Sequence, residues 1–136
     1  MQSDDSGDRW SDPVHVPKTP PLDAAGQRGV SSIAVNRDGI VAVSWRDRGP
    51  DASSKCWEVF AAFSGDGGET FTDASKVSTK PSCPAAGSNG WTAERWPFGG
   101  EYSGLAAAAA GTFHLFWPDS RDERYELRTA QVRLER

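Results

Sequence analysis

Two stretches of the chain, Gly39 to Trp45 (GIVAVSW) and Thr112 to Trp117 (TFHLFW), are β-branched or aromatic and partly alternate between apolar and polar. That is the spacing of a strand with one buried face. Asp38-Gly39 separates the first stretch from the apolar positions of Val30 to Val35, a hairpin signal. The spacing predicts strands over about Val30 to Val35, Ile40 to Trp45, Trp57 to Phe63 and Phe71 to Ser78. Four short strands joined by turns suit a chain with 14 Gly and 9 Pro.

The chain repeats itself. SDDSGDRW (Ser3 to Trp10) and SGDGGETF (Ser64 to Phe71) share the order Ser, any, Asp, any, Gly, any, any, aromatic. Ser3, Asp5, Gly7 and Trp10 return as Ser64, Asp66, Gly68 and Phe71, 61 positions later, and WSDPVHV then matches FTDASKV. A second match runs without gaps at 72 positions: SSIAVNRDGIVAVSWRD (Ser31 to Asp47) against SGLAAAAAGTFHLFWPD (Ser103 to Asp119). The difference places extra residues in the second unit, in the loop from Pro81 to Gly100. Repeats of this length indicate blades, solenoid turns or arrays. Alone, LAAAAAG has the composition of a helix. It is too short for a stable one, and its match to IAVNRDG makes it strand, turn, strand. Four antiparallel strands per repeat is the blade of a β-propeller.

Composition narrows the partners. The net charge is −4, which leaves no electrostatic footprint for nucleic acid or anionic lipid, although a local Arg cluster could still hold an anion. The longest apolar run, Leu105 to Ala110, is too short to span a membrane. MQSDDSGDRW has no apolar core, so no signal peptide is expected in this chain. The two Cys and two His do not spell a zinc site. SDDSGD superficially matches the start of an EF-hand loop but lacks its closing Glu and flanking helices. Neither a metal nor a cofactor is expected.

The octapeptide between strands three and four resembles the Asp-box, or BNR repeat, of the sialidase superfamily. Its residues suit a tight turn: Ser and Asp side chains bond nearby backbone N–H groups, and Gly permits positive φ. The aromatic ring is expected to pack between sheets. GGEYSGLAAAAAGTFHLFWPDSRDERYELRTAQV looks like the closing blade of a six-bladed sialidase-type propeller. The resemblance covers most of the chain. It implies an all-β propeller segment of about two blades: residues 1–27 carry the box and last strand of a preceding blade plus a linker, 28–80 a complete blade, 81–100 an inserted loop, and 101–136 three strands of the closing blade. Two blades do not close a ring of roughly four to eight. The remaining blades come from upstream chain or from other copies.

The resemblance also implies chemistry: hydrolysis of a terminal acidic sugar from a glycan. Boxes follow strand three, and the catalytic centre lies on the opposite face. That face receives Tyr102 at a strand start and Asp47 and Asp119 at strand ends. EYSGL looks like the segment carrying the sialidase tyrosine nucleophile, making Tyr102 the candidate; sialidases depart in this way from the two-carboxylate scheme. Its alternative role is packing near the propeller axis. Asp119 matches a carboxylate that orients an active-site arginine, its alternative being a strand-end turn. Arg28 and Arg95 are candidates for the arginine clamp on the sugar carboxylate, or else surface charges. The family's first arginine, its Asp acid/base and the Glu partner of its tyrosine have no match here. A non-catalytic propeller binding glycans or proteins, or subunits assembling into a ring, is the competing reading.

Cys56 starts strand three and Cys83 follows strand four, so the hairpin should bring them together as a disulfide on the face away from the boxes. Such a bond implies an oxidising compartment, extracellular or periplasmic, for the parent protein.

Overall fold

The computed structural model describes residues 1–16, 28–48, 55–83, 102–108, 111–122 and 124–135. All regular structure among them is β. The strands are β1 (Arg28–Val35), β2 (Val41–Asp47), β3 (Glu58–Ser64), β4 (Ser75–Lys76), β5 (Gly104–Ala107), β6 (Phe113–Asp119) and β7 (Glu126–Val132). They form two antiparallel sheets, β1-β2-β3-β4 and β5-β6-β7. Within LAAAAAG, Leu105 to Ala107 are strand, with β5 paired to β6, and Ala108 N–H donates to Thr112 O (2.8 Å). No helix among the described residues is long and apolar enough to cross a membrane.

Alternation decides which side chains each sheet turns toward the other. Ile40, Ala42, Val59, Ala61 and Phe63 of the first sheet meet Phe113, Leu115 and Trp117 of the second. The Phe63 and Phe113 rings lie 5.9 Å apart. His114 and Phe116, the alternate positions of β6, are exposed.

A side-chain bond holds the sheets in phase at one end. Asn36, buried in the β1–β2 turn, accepts from the N–H of Asp38 (2.9 Å) and Ile40 (3.0 Å) through Oδ1. Its Nδ2 donates to Gly111 O in the β5–β6 turn (3.0 Å). Gly111 has φ +78°, and a Cβ there would sit 2.8 Å from Asp38 Oδ2. The positive φ calls for glycine, whereas the Asp38 carboxylate, at the tip of an exposed side chain, can swing aside.

Several strand boundaries differ from expectation. β4 is two residues long, against an expected Phe71 to Ser78. A side chain displaces the ladder there: Phe63 N–H donates to Thr72 Oγ1 (3.1 Å), where a strand would offer a backbone carbonyl. Lower down, Val77 and Ser78 N–H both turn onto Val59 O (2.8 and 3.3 Å). β1 begins at Arg28 and β2 runs on to Asp47, while Trp57 forms a bridge with Ser82 in place of opening β3. The strand expected after the first box is not formed among residues 1–16. Its Ser11 N–H instead donates to Gln2 O (2.8 Å), closing the segment on itself. Residues 17–27 and 84–100 lie outside the described residues.

Candidate functional site

The two octapeptides fold alike. Ser3 Oγ donates to Asp5 Oδ1 (2.9 Å), as Ser64 Oγ does to Asp66 Oδ1 (2.6 Å). Gly7 and Gly68 N–H each donate to the box Ser Oγ at 2.8 Å. Arg9 N–H reaches Asp5 Oδ1 (2.9 Å) and Thr70 N–H reaches Asp66 Oδ1 (3.0 Å). The glycines have φ +97° and +98°. These bonds favour the charged carboxylates. The Arg9 N–H and then Ser3 hold Asp5 below the usual range. Asp66 is held well below it, by Ser64 first and then Thr70. Every box carboxylate contact is internal to the turn, as a structural motif requires. One expectation fails: the Trp10 ring is 62 % exposed and does not pack between sheets. Its indole N–H donates to Gly7 O instead (3.1 Å), which holds the ring beside its own turn.

The box of the first sheet lies at the same strand ends as the Asn36 turn. The opposite ends gather buried polar groups. Arg46, Asp47, Ser82, Asp119 and Ser120 are all buried there. Each lies at the end of a strand or in the connection after it; alternation turns Arg46 and Asp119 toward the neighbouring sheet. Asp119 Oδ2 accepts from the Trp117 indole (2.9 Å) and Oδ1 from Arg121 N–H (3.0 Å) and Nε (2.9 Å). The Arg121 Nη2 completes a two-point ion pair with it. Burial opposes the charge of Asp119, but the bonds from Arg121 and Trp117 outweigh it and hold the carboxyl below its ordinary value. Arg121 is raised in turn, chiefly by its bond to Asp119. Its Nη1 donates to Thr79 Oγ1 (2.8 Å), tying the second sheet to the chain after β4.

Arg46 crosses between the sheets, its Nη2 donating to Ser103 Oγ just before β5. Burial lowers its pKa, and the Asp119 charge works against that shift. Below this, Ser120 N–H donates to Ser82 Oγ (3.0 Å) and Ser120 Oγ to Cys83 O. Cys56 and Cys83 are joined, with Sγ atoms 2.09 Å and Cα atoms 4.0 Å apart. No free cysteine is present among the described residues.

Tyr102 and Asp119 thus come to the same end of the molecule, linked through Ser103 and Arg46. Tyr102 is 77 % exposed, and its hydroxyl bonds no described residue. Arg28 opens β1 opposite Asp47. Arg95 lies outside the described residues. Sequence reasoning missed Arg121 and Arg46. The first was signalled by Asp119-x-Arg121, where a strand-end carboxylate can cap the turn behind it. The second was signalled by a charge on the core-facing phase of β2. Among the described residues no group of three or more His, Cys, Asp or Glu is placed to hold a metal.

No protein-family model matches this chain, and neither the curated proteins nor the solved structures contain a match to it.

Proposed function

We propose that the chain is a two-blade segment of a sialidase-type β-propeller, part of a glycoside hydrolase acting on terminal acidic sugars. The observation that carries this reading is the Asp119–Arg121 pair. At the end of the sheets away from the box turn, a buried carboxylate holds a guanidinium by two points. That is the role the sialidase resemblance assigns to Asp119, with Arg121 as the arginine it orients. On this reading Tyr102, at the same end of the sheets, is the nucleophile, attacking the anomeric carbon as its phenol proton passes to a carboxylate of another blade. The acid that protonates the leaving oxygen also comes from another blade. The disulfide supports an extracellular or periplasmic parent.

A second reading, a non-catalytic propeller binding glycans or proteins, is favoured by one observation. The Tyr102 hydroxyl has no carboxylate partner among the described residues. Release of fluorophore from a fluorogenic sialoside separates the two. The isolated chain as a monomer releases none, because the hydrolysis needs nucleophile, base, acid and clamp in one geometry. With the ring completed by further blades, turnover appears and Tyr102→Phe abolishes it. Turnover by a stable monomer, or turnover by the ring that survives Tyr102→Phe, contradicts the proposal. A completed ring that binds the sialoside without turnover establishes the second reading.

A further inference from the structure

We infer that the N-terminal segment of one copy completes the second sheet of another copy, joining chains head to tail. The inference stands on packing and goes beyond the sugar chemistry. In the first sheet β3 is flanked by β4, through Phe60 with Lys76 and Ala61 with Ser75. The 72-residue match makes β7 the counterpart of β3: Arg46 pairs with Val59 and Pro118 with Leu127. Yet β7 pairs only with β6 among the described residues. A groove of about 460 Å³ runs along its free side, lined in part by Ala61, Phe63, Val77, Ala130 and Val132. Among the described residues the second sheet therefore has a third strand without a fourth.

Residues 3–16 have the reverse deficit. They repeat residues 64–77, box and following strand, so that Val14 and His15 correspond to β4 and Val16 to the core-packed Val77. The box is folded, but Val14 to Val16 form no strand. They carry the sequence of a fourth strand, with no third strand beside it among the described residues.

The two cannot meet within one chain. Val16 lies on the first sheet beside Val43 and Trp45, in a groove of about 310 Å³. Those residues face away from the second sheet, which covers the opposite face through Ala42, Ala61 and Phe63. The first sheet thus stands between the segment and β7. A second copy satisfies both deficits.

The faces agree with this arrangement. The second sheet packs on the first through Leu105, Phe113, Leu115 and Trp117. The same positions of the first sheet are Ile33, Val41, Val43 and Trp45; Val41 and Trp45 are already buried within one copy, whereas Ile33 and the neighbouring Val35 remain 67 % and 57 % exposed. On the far face of the second sheet Phe116 and Leu127 are 42 % and 68 % exposed. Repeating the intramolecular contact between copies lays these two exposed sets against each other. The contact is heterologous, so it closes into a ring where the rotation permits. At two sheets per chain, a propeller of roughly four to eight blades takes about two to four copies.

Val77 N–H donates to Val59 O (2.8 Å). Its counterpart is Val16 N–H donating to Leu127 O of the second copy. Val16→Pro removes that donor at a position outside any strand of its own chain, so the sheets remain intact. Mass by light scattering across a concentration series tests the inference. Wild type is expected at two to four chain masses, and Val16→Pro at one chain mass with its β circular dichroism retained. A wild type that stays monomeric at every concentration overturns the inference, and so does an unchanged oligomer of Val16→Pro. If Val16→Pro does not fold, Ile33→Lys decides in its place. Its side chain is exposed within one copy, so the lysine costs the fold little and is expected to release monomers. An unchanged oligomer overturns the inference.

Discussion

Asn36 is the most informative single position for the fold, because one side chain closes the β1–β2 turn and ties it to the second sheet. Asn36→Ala removes three bonds: Oδ1 from Ile40 N–H and Asp38 N–H, and Nδ2 to Gly111 O. The Ile40 N–H is buried, and stranding it costs about 1–3 kcal/mol. Asp38 N–H and Gly111 O are only partly buried and regain water, so together they add about 1 kcal/mol. The expected loss is about 2–4 kcal/mol, a large share of the roughly 5–15 kcal/mol a domain has. Asn36→Asp separates the terms. It keeps both acceptor bonds of the turn but replaces the donor to Gly111 O with an oxygen, beside the Asp38 carboxylate. Its loss should be smaller than that of Asn36→Ala and should shrink as the pH falls and the new carboxyl protonates. Urea unfolding followed by tryptophan fluorescence reads both variants. An Asn36→Ala protein within about 0.5 kcal/mol of wild type, below the typical value of one net hydrogen bond, would refute the reasoning. An Asn36→Asp protein as stable as wild type at neutral pH would show that the bond between sheets contributes nothing.

Other perturbations have equally definite outcomes. Leu115→Ala, at a position 2 % exposed in the core between the sheets, should cost about 3 kcal/mol in the same urea assay. Breaking Cys56–Cys83, which are 27 residues apart, should cost about 3–4 kcal/mol on the chain-entropy account; thiol titration of the unfolded, unreduced chain should find no free thiol. Asp119 and Asp66 have folded pKa values below the 3.8 of the free carboxyl, so the stability they contribute is complete above that value. It is lost as pH falls through the lower folded values, and Asp119→Asn should flatten that part of the acid unfolding curve. Asp66→Ala should lower the melting temperature while leaving any sugar affinity of the folded fraction intact, since every contact of its carboxylate lies within the box turn.

The repeat made most of the fold legible. LAAAAAG on its own composition points to helix, and only its alignment with IAVNRDG identifies the strand and turn that form there. The box turns were legible because their bonds are local, between residues two to four apart. β4 was overdrawn because Thr72 competes with its own backbone through a side-chain oxygen, which strand propensity does not register. The missing strand after the first box has a different cause. Its sequence matches β4's surroundings, but among the described residues no third strand lies beside it to pair with. At the polar end the carboxylate was legible from Trp-x-Asp recurring in both units. The partners of that end were not. Arg46 to Ser103 and Ser82 to Ser120 are contacts between the two sheets, and neither lies within one repeat.

The functional claim is that acidic-sugar chemistry belongs to the end of the sheets away from the box turn. Amide chemical shifts measured while the protein is titrated with sialic acid test it most directly, with the methyl ester of the sugar as the control lacking a carboxylate. The shifts should concentrate at Tyr102, Ser103 and Asp119 to Arg121 and should fade with the ester. Shifts concentrated at Ser64 to Phe71, or the same shifts with sugar and ester, would contradict it.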